Sequence, residues 1–193
     1  MKVDQISGWL EGVRRVVSPN CDERPSGGVI DLLVVHGISL PPGEFGGPWI
    51  EALFTNALDA AAHPYFEAIK DMRVSAHAVI RRKGDIVQYV PFQQRAWHAG
   101  QSCFEGRERC NDFAIGIELE GCDDQPYTDA QYGALAEIAQ AMMLAYPDIT
   151  LARIVGHSDI APGRKTDPGP AFVWEQFHTI LSALENRVNH GIS

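Results

Sequence analysis

The segment Leu32-Leu33-Val34-Val35, followed by His36 and the turn-rich stretch GISLPPGEFGGP, limits the fold more than any other feature of the chain. A short, unbroken apolar run without alternation is the mark of a strand buried on both faces. His36 is therefore expected where a core strand runs out into a loop, a position at which binding residues gather.

Further elements follow from periodicity. RVSAHAVIRRKGDIVQYV reads as two strands around a turn at Lys83-Gly84-Asp85, with Val74, Ala76, Ala78 and Ile80 on one face and Arg73, Ser75 and His77 on the other. FAIGIELEG alternates, sending Phe113, Ile115, Ile117 and Leu119 one way and Ala114, Gly116, Glu118 and Glu120 the other, so open space is expected in front of Glu118. Thr128 and Gln131 form a capping box ahead of Tyr132, Leu135, Ile138, Ala139, Met142 and Met143 at helical spacing, a core helix whose methionines fill gaps. FVWEQFHTILSALENR carries an apolar stripe of Phe172, Trp174, Phe177, Ile180, Leu181 and Leu184 and reads as a second packing helix.

No repeat, low-complexity tract or Gly/Ser-rich linker divides the 193 residues, and 45% hydrophobic against 21% charged content suits a folded chain, so one domain over 1–193 is expected. The net charge of -9 argues against nucleic acid and anionic membrane as partners, because both need a basic surface. Asp4 and Glu11 interrupt the place where a signal peptide needs an apolar stretch, and no later run reaches the length of a membrane span, so a cytoplasmic location is expected. Cys21, Cys103, Cys110 and Cys122 lack C-x-x-C spacing and read as reduced structural thiols.

Position decides among the seven histidines. His178 falls within the closing helix, His190 in the tail, and His63 before Pro64 in a loop, while His77 and His98 could line a site without standing out as ligands. His36 and His157 each end an apolar run, VVH and IVGH, which points to one shared site. Asp167, in RKTDPGP, is restrained by prolines and by itself reads as a turn residue. Together the three offer two imidazoles and a carboxylate, the ligand set of a catalytic zinc whose fourth position is left for water. Such a site suits amide hydrolysis, and Glu118 and Lys165 are candidates for proton acceptor and oxyanion-stabilising cation. A rival set starts from the triplet His157-Ser158-Asp159, which with a distant histidine such as His178 or His190 would resemble the facial triad of a non-haem iron oxygenase.

The blocks HGISLPPGEFGGPW, HPYF, RVSAH, RAWHAG, GRERCNDFAIGIELEG, YTDAQY and GHSDIAPGRKTDPGP closely resemble those of AmpD-type 1,6-anhydro-N-acetylmuramoyl-L-alanine amidases, over nearly the whole chain. The resemblance implies an α/β (α+β) architecture, a central mixed β-sheet flanked by helices, as in the zinc amidases related to peptidoglycan recognition proteins. It also implies Zn2+ at His36, His157 and Asp167, Glu118 as activator of the attacking water and Lys165 as the cation at the oxyanion. Arg73, Trp97, Arg109 and Asn111 would lie near the bound sugar and peptide.

Two departures stand out: Gly37 replaces the asparagine common after the first histidine, and Gly163 replaces the acidic residue common before the Arg-Lys pair. The implied activity is hydrolysis of the amide between (anhydro-)N-acetylmuramic acid and L-alanine in small muropeptides, during cytoplasmic peptidoglycan recycling in a Gram-negative bacterium. That process indirectly restrains induction of a β-lactamase, and a monomer is expected. The alternative is a peptidoglycan-binding module of the same fold without catalysis.

Overall fold

The computed structural model describes residues 1–189. Its frame is a six-stranded mixed sheet built from Arg14–Arg15 (β1), Leu32–Ile38 (β2), Ala78–Ile80 (β3), Ile86–Gln88 (β4), Ala114–Glu120 (β5) and Ile154–Gly156 (β6). Across the sheet the order is β6-β2-β5-β3-β4-β1. The β6-β2-β5-β3 portion is parallel throughout, and β4 turns back antiparallel on β3 with Ala78 opposite Gln88.

β2 is continuous in apolar character because both of its faces are covered. Leu33 and Val35 point to the same side as Ile115, Ile117 and Leu119, where they meet Leu135, Ile138 and Met142 of helix Asp129–Ala145 (α2) and Phe177 and Leu181 of helix Trp174–Asn189 (α4). Leu32 and Val34 face the other way, into a cluster with Ala114, Cys110 and Ile160. Each large aliphatic side chain buried this way contributes about 1.5–3 kcal/mol of transfer free energy.

The start of α2 is set by the capping box, in which Thr128 Oγ1 accepts the Gln131 N–H at 3.2 Å and Gln131 Oε1 accepts the Thr128 N–H at 3.1 Å. Phe172 is buried just ahead of α4, so the closing apolar stripe begins before its helix does.

Two expectations require correction. His36 does not lie at the strand end, since β2 continues to Ile38. The strand expected from Arg73 is only Ala78–Ile80; Val74 and Ala76 pack with Val79 and with Leu53 and Phe54 of helix Trp49–Phe54 (α1), on the opposite side from Ala78 and Ile80. The period of two breaks there because residues 73–77 run in irregular backbone, with Ser75 N–H donated to Trp97 O and His77 N–H to Gly116 O.

All four cysteines are free. No helix among the described residues is long and apolar enough to cross a membrane.

Candidate metal centre and active site

Strand register assembles the centre. Glu118 on β5 lies opposite His36 on β2, and Gly156 on β6 lies opposite Val35, so His157 emerges beside His36. In-register neighbours on parallel strands project to the same face, which puts these three side chains on the face opposite α2 and α4. After β6 the chain turns into the short helix His157–Ile160 (α3) and a loop that returns Asp167 to the same point. Ser158 N–H donates to Asp167 O at 3.0 Å, and Tyr127 O–H donates to the carbonyl of the next residue, Pro168, at 2.9 Å.

His36 Nδ1, His157 Nδ1 and Asp167 Oδ2 form a triangle with edges of 3.0, 3.1 and 3.2 Å. Four ligands spaced tetrahedrally at about 2.0–2.1 Å from a zinc ion lie about 3.3–3.4 Å apart, close to the observed edges. Both ring nitrogens and the carboxylate converge on one point, and among the described residues these three side chains form a group able to hold a metal ion. Burial pulls the His36 pKa down to about 4, which keeps the ring neutral, the form a metal requires. Burial also opposes ionisation of Asp167, yet hydrogen bonds with His157 and His36 hold its carboxyl well below the usual range.

His36, Glu118, Lys165 and Trp97 line the cleft beside the triangle, a cavity of about 280 Å³ with an apolar flank that includes Leu53, Tyr65 and Ile69. Glu118 Oε2 is buried without a hydrogen-bond partner. Burial, with the Asp167 charge adding to it and Lys165 opposing, pushes the Glu118 carboxyl well above its ordinary pKa. The space expected in front of Glu118 is partly filled, because a Cβ at Gly116 would overlap the His98 ring that packs there.

The remaining sequence candidates are placed unequally. Trp97 lines the cleft and its Nε1–H donates to Asp22 Oδ1 at 3.1 Å. Arg73 is exposed and donates to the carbonyls of Lys70 and Met72. Arg109 lines a neighbouring cavity with Gln101, Cys103 and Arg164. Asn111 Oδ1 accepts the backbone N–H groups of His98 and Ala99 at 3.1 and 2.8 Å. At the two departures, Gly163 holds φ +74°, a left-handed conformation that suits glycine, and Gly37 lies directly against the Tyr127 hydroxyl.

Among the described residues the iron triad built on Asp159 does not form. Its Oδ2 accepts the Gly156 N–H at 2.7 Å at the start of α3, and His178 packs against Trp174 and Phe177 on α4. His63 Nδ1 accepts the Tyr65 N–H, and His190 lies outside the described residues. Sequence reasoning did not single out His98 and Tyr127, which contact His36 and the Asp167 loop; neither contact has a spacing signature.

A family profile described as N-acetylmuramoyl-L-alanine amidase matches residues 26–170. The chain belongs to the N-acetylmuramoyl-L-alanine amidase family. Within the family it is 63% identical over 175 residues to the 1,6-anhydro-N-acetylmuramyl-L-alanine amidase AmpD of Escherichia coli K12, spanning 91% of this chain and 95% of that protein. The crystal structure of a selenomethionine AmpD derivative matches with a TM-score of 0.90 and 60% identity, covering 94% of this chain and 99% of that one. AmpDh3 of Pseudomonas aeruginosa, solved in complex with anhydromuramic pentapeptide, matches with a TM-score of 0.58 and 30% identity over 86% of this chain and 66% of that one. The expectations of an amidase and of a mixed sheet flanked by helices therefore hold for this chain.

Proposed function

We propose that this amidase is zinc-dependent and cleaves the bond between 1,6-anhydro-N-acetylmuramic acid and L-alanine in muropeptides, as a step of cytoplasmic peptidoglycan recycling. The observation that carries the reading is the near-equilateral triangle of His36 Nδ1, His157 Nδ1 and Asp167 Oδ2, with the unpartnered Glu118 Oε2 buried in the same cleft. The substrate class is supported by the 63% identity to the Escherichia coli AmpD over nearly all of both chains.

When bound by His36, His157 and Asp167, zinc supplies Lewis acidity toward the amide carbonyl and lowers the pKa of a water in its open position. Glu118, in its ionised form, takes the proton of the attacking water at Oε2 and returns it to the departing alanine nitrogen. Lys165, exposed at the rim of the same cleft, is assigned by family resemblance as the cation that steadies the oxygen gaining negative charge. Trp97 offers an aromatic face on the cleft wall, and Arg73, Arg109 and Asn111 are assigned to the sugar and peptide by family resemblance.

The test is elemental analysis of the purified protein together with release of peptide from anhydromuramyl-peptide before and after chelation. About one zinc per chain and chelator-sensitive release are expected. Bound iron, or zinc without cleavage, would overturn the reading.

A further inference from the structure

The loop after Trp97 touches both histidines of the triangle from behind. His98 Nδ1 lies 2.9 Å from His36 Nε2, and one residue later Ala99 O lies 3.1 Å from His157 Nε2. The backbone of this loop is held from two sides. Asn111 Oδ1 accepts the N–H groups of His98 and Ala99 at 3.1 and 2.8 Å, while Arg164 Nη2 donates to the carbonyls of Ala99 and Gln101 at 2.7 and 2.6 Å. The His98 ring is seated against Gly116 of β5, where any side chain would overlap it.

We propose that segment 98–101 is one outer cradle for both histidine ligands, with His98 a positioning residue for His36, and with Asn111 and Arg164 as the clamps that hold it. The inference rests on the metal reading of the triangle. A neutral imidazole that gives its Nδ1 lone pair to a metal carries its proton on Nε2 and needs an acceptor there. Ala99 O serves His157, and His98 Nδ1 serves His36. That pairing fixes the tautomer of His98 itself, whose proton must sit on Nε2, an atom buried without a partner.

The cradle also gives Asn111 a role distinct from substrate contact. Its side-chain oxygen is committed to two backbone amides, so its loss would be felt first at the histidines. Arg164, next to Lys165 in the sequence, would act in the same way through the Ala99 carbonyl that it shares with His157.

Zinc affinity, measured by competition with a chromophoric chelator, tests the cradle directly. His98→Phe and Asn111→Leu are each expected to weaken zinc binding by about 10- to 100-fold, the usual effect of removing an outer-shell partner. Asn111→Asp retains an oxygen acceptor for both amides and is expected to bind zinc like the parent. Folded His98→Phe and Asn111→Leu proteins that bind zinc as tightly as the parent would overturn the cradle alone, whereas a parent that takes up no zinc would overturn the metal reading with it. A second measurement needs no variant: long-range 1H–15N spectra of the zinc-loaded parent are expected to place the His98 proton on Nε2, and a proton on Nδ1 would overturn the assignment.

Discussion

Glu118 and His36 sit directly opposite each other on adjacent parallel strands, so the sheet register itself sets the proposed proton acceptor beside a proposed metal ligand. Glu118 is not part of the ligand triangle, and its Oε2 has no partner to lose. Glu118→Ala is therefore expected to leave the zinc content unchanged while lowering turnover on anhydromuramyl-peptide by about two to four orders of magnitude. Elemental analysis and steady-state rates on the same preparation check this. Unchanged turnover would remove Glu118 from the role.

His157 and Asp159 are two residues apart and should respond in opposite ways. His157→Ala removes one corner of the triangle and is expected to lose zinc and activity together. Asp159→Ala removes the carboxylate that receives the Gly156 N–H at the start of α3. Zinc content should stay intact, with a stability loss of about 0.5–2 kcal/mol, the usual cost of losing a helix cap. Zinc analysis and urea unfolding of the two variants separate these outcomes.

Tyr127 braces the loop that carries Asp167, through its hydroxyl on Pro168 O at 2.9 Å. Tyr127→Phe keeps the ring and drops this bond, leaving a carbonyl unpaired at a buried contact. A stability loss of about 1 kcal/mol is expected by urea unfolding. Asp167 keeps its own backbone tie to Ser158 N–H, so zinc affinity should change little. A large loss of affinity would mean that the Tyr127 hydroxyl, rather than the Ser158 tie, holds the ligand in place.

The parts of the site legible in the sequence were those with local signatures. VVH and IVGH marked His36 and His157 because buried parallel strands are written as short apolar runs, and the Thr128–Gln131 box marked the start of α2 because both partners lie within one turn. The opposition of Glu118 and His36 was not legible, since strand register depends on pairing between segments 82 residues apart in sequence. The seating of His98 against Gly116 was missed for a related reason: a glycine reads locally as empty space, although a distant ring can occupy that space. The commitment of Asn111 to backbone amides likewise appears only when residues 98, 99 and 111 are brought together by the fold.

His77 should make the fold acid-sensitive in a definable window. Its ring is fully buried, and Nδ1 accepts the Gly116 N–H at 3.0 Å, so the ring proton sits on Nε2 and is donated to Gln94 O at 3.1 Å. A second proton would have to enter at Nδ1, against that N–H, on a ring whose Nε2 already lies 3.1 Å from the Arg24 guanidinium. Burial, followed by the Arg24 charge, pulls the His77 pKa down to about 3. In the unfolded chain the ring titrates near 6.5. Between these values the unfolded state binds the extra proton and the folded state does not, so stability rises with pH. The contribution is fully present above about 6.5 and is lost as pH falls toward 3, at up to about 1.4 kcal/mol per pH unit. Urea unfolding of the parent and of His77→Gln from neutral pH down to about pH 5 reads the difference. The parent should lose stability more steeply, by the equivalent of one proton, whereas parallel slopes would show that other groups govern the acid limb.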